Sequence, residues 1–361
     1  MVVGPPALKE MVEGLGLPFR AGAEPAEDDV ASIRERLPVA PHFEASLLGN
    51  RELFGRLATT AMLPAMERIC TEWRPDLVLR EPCEYASAVV AFRTGIPTAQ
   101  VAISLAEGEA GSIAMAAPAL EEHRSGLVEE LLASPYLTRF PASLDPSPFP
   151  TTVRFQEQPH RRAAGSLPDW WSGSEAPFVY VTFGTVLGYM SVAAGVYRGA
   201  LKALEKLPVR ALLTVGRQFD RSTLGPVPAN VHVEAWVEQA EVLGQARLVV
   251  CHGGSGTAFG AMAAGIPVVV VPLFADQFEN GRRIAAAGAG LVVEPEDHGG
   301  GGPRRVIAEE DAPRIAHGIE AVLGETSYLS RARRIAVEIA RAPTVDDVLG
   351  ALLTGSLDDI G

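Results

Sequence analysis

RLVVCHGGSGTAFGAMAAGIPVVVVPLFADQFENGRRIAAAGA, residues 247–289, decides the fold. Arg247–Cys251 is a short apolar run of the kind a buried parallel strand needs. His252, Gly253 and Gly254 make a turn. Ser255–Ala264 is alanine-rich and predicts a helix, stopped at Gly265. Ile266–Val271 is the next buried strand. Asp276 opens a second helix and Gly288 closes it. Strand, glycine turn, helix, strand, turn and helix in this order predict an α/β sheet of parallel strands.

Glycines at 253, 254 and 256 let a backbone approach a ligand with no Cβ between them. The N–H groups of residues 254–257 fall at a helix N-terminus, where unpaired donors and the macrodipole favour an anion. Ser255 and Thr257 add hydroxyls, and His252 adds a ring nitrogen. The GxxxxGK[ST] spacing of a P-loop is absent. A dinucleotide site is the rival, because Gly254, Gly256 and Gly260 read G-x-G-x-x-x-G and Asp276 lies twenty residues after Gly256. The turn falls late in the chain, and Gln277 follows Asp276 at a helix start. Both features favour a sugar nucleotide over a dinucleotide.

The same grammar recurs upstream. Phe178–Phe183, Val209–Val215 and Val231–Ala235 are strand-like, and Gly184-Thr185 and Gly216-Arg217 follow the first two. Carboxyl ends of parallel strands share one edge of a sheet, so these turns can converge on one ligand. Earlier, Asp76–Arg80 and Ile96–Ile103 read as strands, Arg51–Cys70 as a long helix, Glu24–Asp29 as a solvated acidic loop, and Ser104–Ser112 as a small-residue loop at a ligand-binding edge. Trp170 and Trp171 sit in a proline-containing linker and suit a domain interface. His298–Pro303 (HGGGGP) follows no strand and reads as a plain loop.

The 361 residues, 47% of them hydrophobic, suffice for two domains. A net charge of −13 argues against nucleic acid or an anionic membrane surface as partner. Cys70, Cys83 and Cys251 are too few and scattered for a disulfide frame or zinc site, so a reducing cytoplasm is expected. The sequence offers no membrane-length apolar run and no signal-peptide pattern.

With these residues placed, VTFGT (181–185), TVGR (214–217), WVEQ (236–239), HGGSGT (252–257) and ADQFENG (275–281) stand in the order and spacing of a family. The chain resembles family 1 glycosyltransferases of the bacterial branch that decorates antibiotics such as macrolides and enediynes. The likeness covers about residues 170–350 closely. It continues more loosely through RPDLVLREP (74–82) and LDPSP (144–148). It implies an α/β architecture of two facing Rossmann-like parallel-sheet domains (GT-B) with the donor cleft between them. The expected divisions are an acceptor-binding domain over 1–155, incomplete at its start, a linker over 156–175, a nucleotide-sugar domain over 176–343, and a terminal helix over 344–361 returning to the first domain.

The resemblance also implies roles. Trp236 and Val237 line the nucleobase, and Thr185 and Arg217 lie near the nucleotide and its phosphates. His252, Gly254, Ser255, Gly256 and Thr257 hold the diphosphate; Asp276 and Gln277 bind the donor sugar. Local alternatives stay open. Asp276 with Glu279 has the form of a helix capping box, Trp236 suits a core, His252 a satisfied turn, and Arg217 the surface. No Asp-x-Asp pair occurs, so the expected reaction is metal-free. The acceptor hydroxyl attacks in line and inverts the anomeric carbon. The substrates are a nucleoside diphosphate sugar, thymidine-linked in this branch, and a small hydrophobic aglycone. No cofactor, nucleic acid or membrane insertion is expected, and a homodimer is permitted. A non-catalytic sugar-nucleotide-binding helper and a sugar-nucleotide epimerase are the alternatives.

One departure bears on catalysis. The family opens with a strand, a Gly-His loop carrying the base, and a helix. MVVGPPALKEMVEGLG resembles the text after them, and the first histidine is His42. Glu81 stands where the family has the acid that orients this base. Glu81 is therefore the candidate catalytic residue, acting directly, or idle; His42 is the substitute histidine. An amino-terminal segment outside this sequence, another base, and a protein without transfer activity all fit. The first is favoured, because loss of a central strand exposes its neighbours' edges.

Overall fold

The computed structural model describes residues 1–37, 40–156, 167–168, 170–171, 173–295 and 306–357. The chain divides into two compact units. The first is Met1–Arg139 with Pro146–Phe155 and Val345–Gly361; the second is Phe140–Asp145 with Gln156–Thr344.

In the first unit, β1 (Val2–Gly4) and β2 (Phe19–Ala21) pair in parallel. A second parallel sheet runs in sequence order through β3 (Val78–Arg80), β4 (Thr98–Val101), β5 (Tyr136–Thr138) and β6 (Thr152–Arg154). Parallel neighbours need long crossovers, and helices Ala86–Thr94 and Ala106–His123 supply them. The terminal helix Val345–Thr354 buries Val348 against Ala99, Leu137 and Val153 of this sheet.

Two sequence expectations fail here, and a third, the long helix, holds with a different winding. The acidic run is not a loop: Glu27, Asp28 and Asp29 form the first turn of helix Glu27–Arg36, where carboxylates favour the positive end of the dipole. Residues 106–112 belong to helix Ala106–His123, whose alanines and glycines read as a small-residue loop. The long helix is wound as a π-helix over Leu48–Ala58 before continuing as α over Thr59–Trp73. Gly55 marks its close approach to helix Ala106–His123, since a Cβ there would lie 3.2 Å from that of Ala116.

In the second unit, β7 (Phe178–Thr182), β8 (Arg210–Thr214), β9 (Val231–Glu234), β10 (Leu248–Cys251), β11 (Val268–Val270) and β12 (Gly290–Val292) form one parallel sheet in the order β12-β11-β10-β7-β8-β9. The valine-rich strands are buried on both faces, and each such side chain contributes about 1.5–3 kcal/mol relative to exposure. Strand order reverses between β7 and β10, the crevice where open α/β sheets bind ligands. Thr182 registers with Cys251, so the Phe183-Gly184-Thr185 and His252-Gly253-Gly254 turns leave the sheet side by side.

Trp170 and Trp171 make ring contacts inside the second unit. Trp170 stacks on His232, ring centroids 4.4 Å apart, and Trp171 tilts against Phe178 at 5.7 Å, all within the second unit. His298–Pro303 and most of the predicted linker lie outside the described residues. Among the described residues, no helix is long and apolar enough to cross a membrane.

Candidate active site

The turn after β10 is built around one imidazole. A Cβ on Gly254 would sit 2.4 Å from His252 Nε2, and one on Gly184 would sit 2.8 Å from it. The ring edge thus fits between two glycines at the ends of neighbouring strands. Gly184, at φ +74°, also has a backbone that other residues rarely adopt. Helix Ser255–Ala263 starts at Gly254, and the N–H groups of Thr257 and Ala258 bond to the Gly254 carbonyl. The N–H groups of Ser255 and Gly256 precede these bonds and no side chain caps them, which leaves donors for an anion.

Burial pushes the His252 pKa down to about 4, against the opposing pull of Asp276 and the Thr182 carbonyl. The ring is neutral at pH 7, and its Nδ1 is buried without a well-formed hydrogen bond. Its titration followed by NMR is expected to centre near pH 4; a midpoint at the ordinary value near 6.5 would put the ring in water. The unfolded chain binds the proton near 6.5 and the folded one near 4, so this contribution to stability is full above 6.5 and is lost as pH falls to about 4.

Asp276 does not cap its helix, and the capping-box alternative fails. Its carboxylate Oδ2 accepts from Ser255 Oγ at 3.1 Å and from Asn280 Nδ2 at 3.0 Å, with no side-chain capping bond, while Glu279 pairs with Arg283 at 2.7 Å. Asn280 is fully buried and also reaches the Gly253 carbonyl at 2.9 Å and Ser255 Oγ at 3.2 Å. Two amide hydrogens thus serve three acceptors, and this one side chain ties the glycine turn to the Asp276 carboxylate. Gln277 is buried, and its Oε1 accepts from the N–H groups of Leu273 at 2.8 Å and Phe274 at 3.0 Å. That brace holds Ala275 at φ +55°, a left-handed state costing roughly 1–2 kcal/mol outside glycine. The Gln277 oxygen is therefore engaged, and its Nε2 has no partner among the described residues.

Thr257 Oγ1 donates to Gln239 Oε1 at 3.2 Å, which joins WVEQ to the helix start. Gln239 and Asn280 lie inside the WVEQ and ADQFENG segments, and no local pattern there marks either residue for a role. Trp236 is 46% exposed, so the core alternative fails. The Arg217 guanidinium lies 4.9 Å from its ring centroid, a cation–π contact worth about 0.5–1 kcal/mol when exposed. Arg217 and Thr185 are exposed, and Val237 is half-buried.

In the first unit, Glu81 follows β3. The Cys83 N–H donates to its Oε2 at 3.0 Å. Glu81 is exposed, yet the protein around its carboxyl partly desolvates it and raises its pKa from the ordinary carboxylate value. His42 begins helix His42–Leu47 rather than lying in a loop; its side chain is outside the described residues.

Residues 22–184 match the N-terminal domain of the Erythromycin biosynthesis protein CIII-like family, and residues 200–354 match its C-terminal domain. The chain is 32% identical to the L-demethylnoviosyl transferase of Streptomyces niveus over 342 residues, covering 92% of this chain and 84% of that protein. It is 31% identical to the Elloramycin glycosyltransferase ElmGT of Streptomyces olivaceus over 314 residues, 81% and 72% of the two. The solved structure of Spinosyn Rhamnosyltransferase SpnG complexed with thymidine diphosphate superposes with a TM-score of 0.72 at 25% identity, covering 96% of this chain and 90% of that one. The chain belongs to the Erythromycin biosynthesis protein CIII-like family and is a bacterial antibiotic family 1 glycosyltransferase of GT-B fold.

Proposed function

We propose that this enzyme transfers a sugar from a thymidine diphosphate donor to a hydroxyl of a hydrophobic natural product, with inversion and without a metal. The observation that carries the reading is the His252 turn. Unpaired helix N–H groups and a neutral imidazole are fixed together at the switch point of the second sheet. The similarity to a rhamnosyltransferase solved with thymidine diphosphate supports the choice of nucleotide.

As the glycosidic bond breaks, negative charge grows on the leaving phosphate. Donors already in place stabilise that charge without reorganising. An anion beside His252 also raises its pKa, so the ring gains positive character as the charge develops. Trp236 with Arg217 supplies a flat, polar-rimmed platform for the base. Asp276, steadied by Asn280, accepts from sugar hydroxyls, and Gln277 offers its Nε2. Ser255, Gly256 and Thr257 complete the phosphate cradle. Glu81 is the proposed base for the acceptor hydroxyl, because a carboxyl of raised pKa takes a proton more readily near neutral pH.

Calorimetry with dTDP and UDP, followed by transfer assays over a panel of dTDP-sugars and polyketide aglycones, tests this. Expected are tighter binding of dTDP, an inverted anomeric coupling in the product's NMR spectrum, and a rate unchanged by EDTA. Retention of configuration would overturn the in-line step. Loss of rate in EDTA with rescue by magnesium would overturn the metal-free reading.

A further inference from the structure

The first unit holds a buried polar chain that the mechanism above does not use. Glu109 is 4% exposed, Gln100 1% and Arg80 4%. Glu109 Oε1 accepts from the backbone N–H groups of Ile103 at 2.8 Å and Ser104 at 2.7 Å, while its Oε2 accepts from Gln100 Nε2 at 2.8 Å. Gln100 Oε1 accepts from an Arg80 guanidinium nitrogen at 2.6 Å. The other terminal nitrogen of Arg80 donates to the carbonyls of Glu81 at 3.2 Å and Pro82 at 3.0 Å. Every polarity runs one way, from guanidinium through amide to carboxylate. The two ends grip the segments that leave β3 and β4 at the carboxyl edge of the sheet.

We propose that Glu109 is a positioning residue for sugar transfer, fixing the Ile103–Ser104 backbone and, through Gln100 and Arg80, the turn that carries Glu81. The proposal rests on the reading of Glu81 as the base. The ionisable groups around Glu109 are Cys83 after β3, Tyr136 on β5, and Arg80 beyond Gln100. Burial pushes the Glu109 pKa up to about 7, against the N–H bonds that favour the charged form, and burial pushes the Cys83 thiol to about 12, which keeps it neutral. The carboxylate therefore grips the loop harder as pH rises through 7. Global stability moves the other way. The folded carboxyl binds its proton up to about 7 and an unfolded one only to about 4.3, so stability falls as pH rises across that window. A general change in stability cannot imitate a local tightening of opposite sign.

The test is hydrogen exchange at the Ile103 and Ser104 amides, corrected for intrinsic rate, alongside kcat for an active pair from the panel. In Glu109→Gln, the new amide nitrogen meets the Gln100 nitrogen, and flipping Gln100 only moves the clash to Arg80. Exchange protection is expected to drop at least tenfold and kcat about tenfold, with the donor KM unchanged. The double variant Glu109→Gln with Gln100→Glu restores every donor–acceptor pair, so it should recover both quantities and lose the pH step near 7. Unchanged protection in the single variant, or no recovery in the double, overturns the proposal. Full activity of Glu81→Gln would instead overturn the base reading, and the exchange pattern is read independently of it.

Discussion

Gly254→Ala is expected to fold normally and to lose at least a hundredfold in dTDP affinity, about 2.7 kcal/mol. The backbone at Gly254 is extended, φ −61° and ψ 140°, which alanine adopts without strain. The effect comes from the added methyl, which would stand 2.4 Å from His252 Nε2. The ring cannot retreat along its plane, because Gly184 is packed against the same edge. It must rotate away and take its nitrogen out of the phosphate site. Gly256→Ala separates this from a loss of fold. A Cβ there meets no protein atom within 4 Å, and alanine improves a helix position by about 1 kcal/mol. Its melting temperature should hold or rise while its affinity falls, because the added methyl would crowd the proposed diphosphate rather than the protein. Calorimetry and thermal melts on both variants check the pair. Affinity within threefold of wild type in Gly254→Ala would remove the diphosphate from this turn.

What was legible in the sequence was what local chemistry decides. The glycine turn, the valine strands of the second unit and the helix starts follow from residue types in short windows. The capping-box alternative for Asp276 failed because it also considered only a short window. Ser255, twenty-one positions away in sequence, brings a hydroxyl to that carboxylate, and Asn280 donates its side-chain amide to the same oxygen. Trp236 was ambiguous for the same reason: exposure depends on where the strand ends in the sheet. β5 and β6 were missed because each is three residues long and flanked by prolines. The Glu109–Gln100–Arg80 chain gave no signal, since nothing in a linear reading makes an acid inside an alanine-rich segment face a strand glutamine. Glu81 was visible only through the resemblance. Its raised pKa needed the surrounding protein.

Glu81→Gln is expected to lower kcat by 10²–10⁴, the usual contribution of a general base, with dTDP affinity unchanged. The nearby Glu84 is the control. Its carboxylate accepts from the Ser87 N–H at 3.1 Å at the start of helix Ala86–Thr94; Glu84→Gln keeps an acceptor oxygen for that N–H and should leave the plateau kcat alone, moving only the acidic limb down because the Glu84 charge opposes Glu81 ionisation. Among the described residues the Glu81 carboxylate accepts only the Cys83 N–H, on one oxygen, and partial desolvation, with Glu84 nearby, opposes its ionisation. The wild-type kcat should therefore rise with pH along an acidic limb above the ordinary carboxylate range. Glu109 would add its own step near 7. In the Glu109→Gln, Gln100→Glu background the buried carboxylate sits against the Arg80 guanidinium and its step moves to lower pH, so the part of the limb that stays in place between the two backgrounds belongs to Glu81. Glu81→Asp keeps the charge but draws it back by one methylene, so it should retain part of the rate and the limb together. If Glu81→Gln and Glu81→Asp both turn over like wild type, proton removal belongs to another group, and the raised pKa of Glu81 is a consequence of where β3 ends rather than part of the reaction.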